Sequence, residues 1–167
     1  MKKIAVLIIL LSSCLSYSLG QSYNSQKIAL SNFLTRMYNN APFEGVRIVD
    51  DYESHYLISV LSLEKSKYPN ESTLYRISEV KAMSQASRFL NGSEITSEFI
   101  VTTTEDADGK SHTQVIEYLI ENSVGFVKQL ELLTSFTSKD DNYTVFIYAK
   151  EVPATNLRKT NKRGKNK

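Results

Sequence analysis

Apolar and polar positions follow two different periods along this chain, and the switches between them mark the elements. Between Ser25 and Asn39, Leu30, Phe33, Leu34 and Met37 recur at i, i+3, i+4 and i+7, the spacing of one face of a helix. Asn40-Ala41-Pro42 ends that pattern. From Phe43 to Val49 the period falls toward two, with Val46 and Ile48 set against Arg47 and Val49, and Asp50-Asp51 supplies a turn. His55 to Leu63 places Tyr56, Ile58 and Val60 on one face and Leu57, Leu61 and Leu63 on the other. These two runs predict a hairpin.

The second half repeats the alternation of types. Pro69-Asn70-Glu71-Ser72 opens a helix over Thr73–Asn91, with Ser72 as its N-cap. One face of it carries Lys81, Ser84, Gln85 and Arg88, and the opposite face carries Ala82, Met83, Ala86, Phe89 and Leu90. The small Ala82 and Ala86 predict a close approach to a sheet, and Asn91-Gly92 stops the helix. Ile95 to Thr104 reads as a strand, Glu105 to Gly109 as a turn, and Thr113 to Asn122 as a helix with Val115, Ile116, Leu119 and Ile120 in one stripe. Alternation resumes at Phe126, with Leu130, Leu132 and Phe136 in one row. Lys139-Asp140-Asp141-Asn142 turns the chain into Tyr143–Lys150, where Val145 and Ile147 oppose Phe146 and Tyr148. The expected fold is a single α+β domain of order α-β-β-α-β-α-β-β, its helices packed on a largely antiparallel sheet.

The ends of the chain change the picture. Residues 1–20 join a basic start to the unbroken apolar run Ile4–Leu11 and a tail of small residues, the composition of a secretory signal peptide. The run is short of the about twenty apolar residues that span a bilayer. Cleavage before Gln21, behind Ser18-Leu19-Gly20, competes with a bacterial lipobox, Leu11-Ser12-Ser13-Cys14, that would lipidate Cys14. The apolar Leu15, Tyr17 and Leu19 continue past Cys14 and favour the former. Either cut predicts export to the periplasm or outer envelope, and neither leaves two thiols to pair. The sequons at Asn70, Asn91 and Asn142 have no role in a bacterial envelope.

Charge is divided as well. The formal net charge of +2 conceals a basic tail, Arg158 to Lys167, behind a body that carries all 18 acids. Residues 21–157 hold twelve cations against those eighteen acids, a net charge of −6. Residues 153–167 are expected to be a disordered basic tail behind a domain spanning 21–152. Such a tail makes weak contact with anionic surfaces. No aromatic residue interleaves its basic ones, so nucleic acid is not an expected partner.

Candidate chemistry is sparse. The chain has two histidines, His55 and His112, and its only cysteine is Cys14, so no metal centre or cofactor site is expected. His55 reads as an ordinary strand-edge residue and His112 as exposed. An EF-hand register starting at Asp106 would reach Asp108 and Glu117, but it puts Lys110 at a ligand position and Ser111 where glycine is required. Ser-x-x-Lys occurs at Ser62–Lys65 and Ser78–Lys81 without the companion motifs of penicillin-recognising enzymes. No catalytic residue is nominated; the polar helix face Lys81, Ser84, Gln85 and Arg88 is the candidate interaction surface.

The helix Ile77–Gly92 leading into a strand, the segment Val124-Gly125-Phe126 through Leu130-Glu131-Leu132, and the strand Tyr143–Tyr148 together resemble a family of small bacterial envelope proteins. That family is typified by the twenty-kilodalton conserved membrane lipoprotein of gastric pathogens. The resemblance covers about residues 72–150. It implies an envelope-associated protein without catalytic residues, and so carries no site over to this chain. The reading that results is an exported, non-catalytic cell-envelope protein acting through a surface that contacts another envelope protein or a cell-wall component. The alternative is a periplasmic module that binds a small ligand or peptide in a cleft beside the sheet, with a hydrolase behind it.

Overall fold

The structure, a computed structural model, describes residues 25–51, 54–92, 100–102, 115 and 118–152. The signal segment, Cys14, Gln21, Glu105–Gly109, His112 and the basic tail lie outside the described residues. The chain divides into two compact units, Met1–Pro42 and Phe43–Lys167. Within the first, residues 25–40 form helix α1, which buries Leu30, Leu34 and Tyr38. Phe33 and Met37, placed by spacing in the buried stripe, are half-buried.

The second unit is built on a five-stranded sheet. Its strands are β1 (Gly45–Asp51), β2 (Ser54–Glu64), β3 (Ile100–Thr102), β4 (Glu131–Thr137) and β5 (Tyr143–Val152). They lie in the order β3-β1-β2-β5-β4. Four are antiparallel neighbours, and β3 alone joins in parallel, with Ile48 in register with Ile100. A single turn of 3-10 helix (Lys65–Lys67) leads from β2 toward helix α2 (Glu71–Gly92), and the short helix α3 (Ser123–Val127) precedes β4. The element order and the α+β class are those read from the pattern. Among the described residues no helix is long and apolar enough to cross a membrane.

Helix α2 lies on one face of the sheet because its sequence repeats small or apolar residues every fourth position: Leu74, Ser78, Ala82 and Ala86 are all buried. They meet the inner row of the sheet, Val46, Ile48, Leu57, Leu61, Phe146 and Tyr148, in one core with Phe89, Leu90, Val115, Leu119 and Phe126. The methyl side chains of Ala82 and Ala86 permit a close approach. Ser59 Oγ, from β2, donates to the Ala82 carbonyl oxygen at 3.2 Å. The other face of the sheet is also buried, through Val49, Ile58, Val60, Val145 and Ile147.

Several local expectations are corrected. The cap of α2 is Asn70, whose Oδ1 accepts the Thr73 N–H at 2.8 Å, and Ser72 lies inside the first turn. Asp50 and Asp51 are strand residues rather than a turn: Asp50 pairs with His55 and Asp51 with Ser54. Phe126 belongs to a helix rather than to the start of a strand. Ile120 is about half exposed, off the stripe that buries Val115 and Leu119. The row Leu132–Phe136 is broken by a bulge between Leu132 and Thr134. The extra residue shifts the parity, so Leu132 registers with Tyr148 and Phe136 with Val145, on opposite faces.

Candidate functional site

At the start of α2 a groove of about 510 Å³ opens between the helix and the sheet. Its walls are Leu74 and Tyr75 from α2, Ser135, Phe136 and Thr137 from β4, and Tyr68 from the preceding segment. Chain geometry explains why the aromatic rings stand there. The Tyr75 ring packs edge-on against Phe146, with centroids 5.0 Å apart and planes at 86°. Its hydroxyl shares a 2.8 Å hydrogen bond with Ser135 Oγ across the groove.

Deeper in the same layer, Ser78 Oγ donates to the Tyr75 carbonyl oxygen and lies 2.7 Å from the Tyr148 hydroxyl. Burial pushes the Tyr148 phenol above its ordinary value, against the opposing pull of the Ser78 hydrogen bond.

The rim of the groove is polar. Lys65 Nζ donates to Thr137 Oγ1 at 3.2 Å, and the Lys65 backbone N–H donates to the Asn142 carbonyl oxygen. Beside it, Lys67 bridges Glu64 at 2.7 Å. Hydrogen bonds from Lys67 and then Ser66 hold the Glu64 carboxyl below the usual range, and the same contact raises Lys67. In the turn between β4 and β5, hydrogen bonds from Ser138 and Asn142 lower Asp140, and Asp141 takes the left-handed conformation at φ 59°.

The residues nominated from sequence are only partly brought together. Lys81, Ser84 and Arg88 are exposed on α2, and the Lys81 ammonium stands 3.5 Å from the Tyr68 hydroxyl, at the edge of the groove. Gln85 turns the other way. It is half-buried, and its Nε2 donates to the Val60 carbonyl oxygen at 3.0 Å and to Ser59 Oγ at 3.3 Å. It fastens α2 to β2.

His55 is not an edge residue. It stands on β2, in the interior of the sheet, with a largely buried side chain whose Nδ1 lies 3.0 Å from Asp50 Oδ1 on β1. The two are directly opposed in the ladder. Among the described residues no three His, Cys, Asp or Glu side chains gather as a metal site would require.

A second cavity, of about 380 Å³, opens at the α3 end of the same layer. Tyr118, Asn122, Val124, Gly125, Phe126 and Gln129 line it, with Glu121 and Lys150. Tyr118 and Phe126 meet edge-to-face at 6.3 Å. Sequence reasoning missed both openings. The walls of the first come from segments about sixty residues apart, and those of the second from the stretch Tyr118–Gln129 together with Lys150. The one available signal was the alternation Tyr148-x-Lys150-x-Val152, which sets a lysine in a row of core residues. Comparison with protein-family models, with curated proteins and with solved structures finds no match.

Proposed function

We propose that this chain is an exported, non-catalytic cell-envelope protein that works by contact, holding a segment of another envelope protein in the groove at the start of α2. The groove itself supports this reading. It is concave and walled by Tyr68, Tyr75 and Leu74, with hydrogen-bonding groups spaced along its rim. Recognition sites commonly combine an apolar floor with a few placed polar groups in this way. The exported part of the reading rests on residues 1–20, with their basic start, short apolar run and small residues before Gln21.

The test is photo-crosslinking in the native host from two positions in otherwise unchanged protein. Thr137 lies on the groove, and Val80 is exposed on α2 away from it. A photoreactive residue at 137 should give one discrete adduct, identifiable by mass spectrometry as an envelope protein, and the same residue at 80 should give none. Adducts of equal yield from both positions, or from neither, contradict the assignment of the groove.

A further inference from the structure

Lys150 occupies an unusual place. Along β5 its neighbours on the same face are Tyr148 and Val152, both in the core, and across the ladder it faces Leu57, which is fully buried. The neighbours on this face are packed into the core, yet here the row carries an ammonium group. Lysine is rarely placed so unless its charge is paired or reaches an opening. Among the described residues no ion pair reaches it, whereas pairs such as Asp50–His55 and Glu64–Lys67 form elsewhere. The opening it reaches is the cavity at α3. Around it stand the amides of Asn122 and Gln129, the Tyr118–Phe126 aromatic pair and the exposed Val124.

We propose that this cavity is a binding site for a carboxylate carried on an apolar or aromatic group, with Lys150 as its anion partner. The chemistry selects that class. One half-buried cation matches one negative charge, and a charge-assisted hydrogen bond is the strong kind. The aromatic pair and Val124 offer surface to an apolar body. Glu121, which also lines the cavity, and the net charge of −6 on residues 21–157 both oppose multiply charged anions. The volume is near the lower end for ligand sites, suiting a single amino-acid-sized acid. Such a carboxylate comes from two sources, a free small acid or the C-terminal residue of a peptide.

The test is NMR titration of the full, isotope-labelled chain, following the amides of Gly125, Phe126 and Gln129. The probes are N-acetyl-L-phenylalanine, its amide, and the tetrapeptide Ala-Ala-Ala-Phe with a free or an amidated C-terminus. The free acids should shift these amides, and each amidated form should bind about tenfold more weakly or worse. Tighter binding of the free-acid tetrapeptide identifies a protein C-terminus as the source, and tighter binding of the acetylated amino acid identifies a small metabolite.

Lys150→Arg should keep the response and Lys150→Met should lose it. Gly125→Leu provides a second check that leaves Lys150 in place, because Gly125 lines the cavity and a Cβ built there meets nothing within 4 Å. It should fold normally and weaken the free acids by occlusion. The proposal is overturned by equal binding of acids and amides, by an undiminished response in Lys150→Met or Gly125→Leu, or by no shift with any probe.

Discussion

At Ser59, beneath Ala82 of α2, and at Lys150 the inner row of the sheet carries a polar residue, with opposite outcomes. At Ala82 the row is sealed. Ser59 on β2 is fully buried, its hydroxyl donates to the helix carbonyl oxygen, and Gln85 reaches from α2 to the Val60 carbonyl oxygen. Small side chains bring the backbones close enough for polar groups to satisfy one another. At Lys150 the side chain is long, charged and met by no carboxylate among the described residues, so the layer stays open and a cavity remains. The start of α2 is open as well: a groove lies beside Tyr75 even though its ring packs on Phe146. Closure follows from satisfied polar groups as much as from apolar ones, and function is assigned here to the places where closure fails.

The comparison can be broken hardest at its apolar floor. Phe146 is fully buried and supports Tyr75; Phe146→Ala should cost about 3–5 kcal/mol in urea unfolding and collapse the groove. Ala82→Leu drives a larger side chain into the sealed seam and should cost about 1–3 kcal/mol by the same measurement. Asn70→Ala removes the cap of α2 and should cost about 1 kcal/mol, with Ser72→Ala close to neutral as its control.

In the open region the sign reverses. Gly125→Ala, where an added Cβ meets nothing within 4 Å, should raise stability by about 0.5–1 kcal/mol through helix propensity. The smallest effect is one of pH. Tyr148 holds its proton more tightly folded than unfolded, so its contribution is complete below the ordinary tyrosine value of about 10 and is lost as pH rises beyond it. Urea midpoints across that range should fall less steeply in Tyr148→Phe than in the parent.

Much of this architecture was legible in the sequence, and the omissions have physical causes. The buried face of α2 followed from the spacing of Ala82, Ala86, Phe89 and Leu90, and both hairpins followed from alternation. Asn70 and Ser72 are both good capping residues two positions apart; only the backbone geometry after Pro69 selects between them. The Leu132–Phe136 row failed because a bulge changes parity without leaving a mark in composition. Phe126 and Leu130, four apart, fit a helical turn as well as a strand row, and the helix prevailed. Asp50 reads as a turn residue until His55 is placed opposite it. The groove at the start of α2 was not legible, since it is a gap between segments distant in sequence, and the cavity at α3 left only the lysine set between Tyr148 and Val152.

The central claim is that the helix-covered layer is closed at its middle and open at its ends. Native-state amide hydrogen exchange, residue by residue, tests it most directly. The slowest amides should be those of Leu57–Leu63 in β2, Val145–Tyr148 in β5 and Ser78–Ala86 in α2, with Ser123–Val127 exchanging far faster. Protection of Ser123–Val127 equal to that of the Ala82 seam would contradict the account.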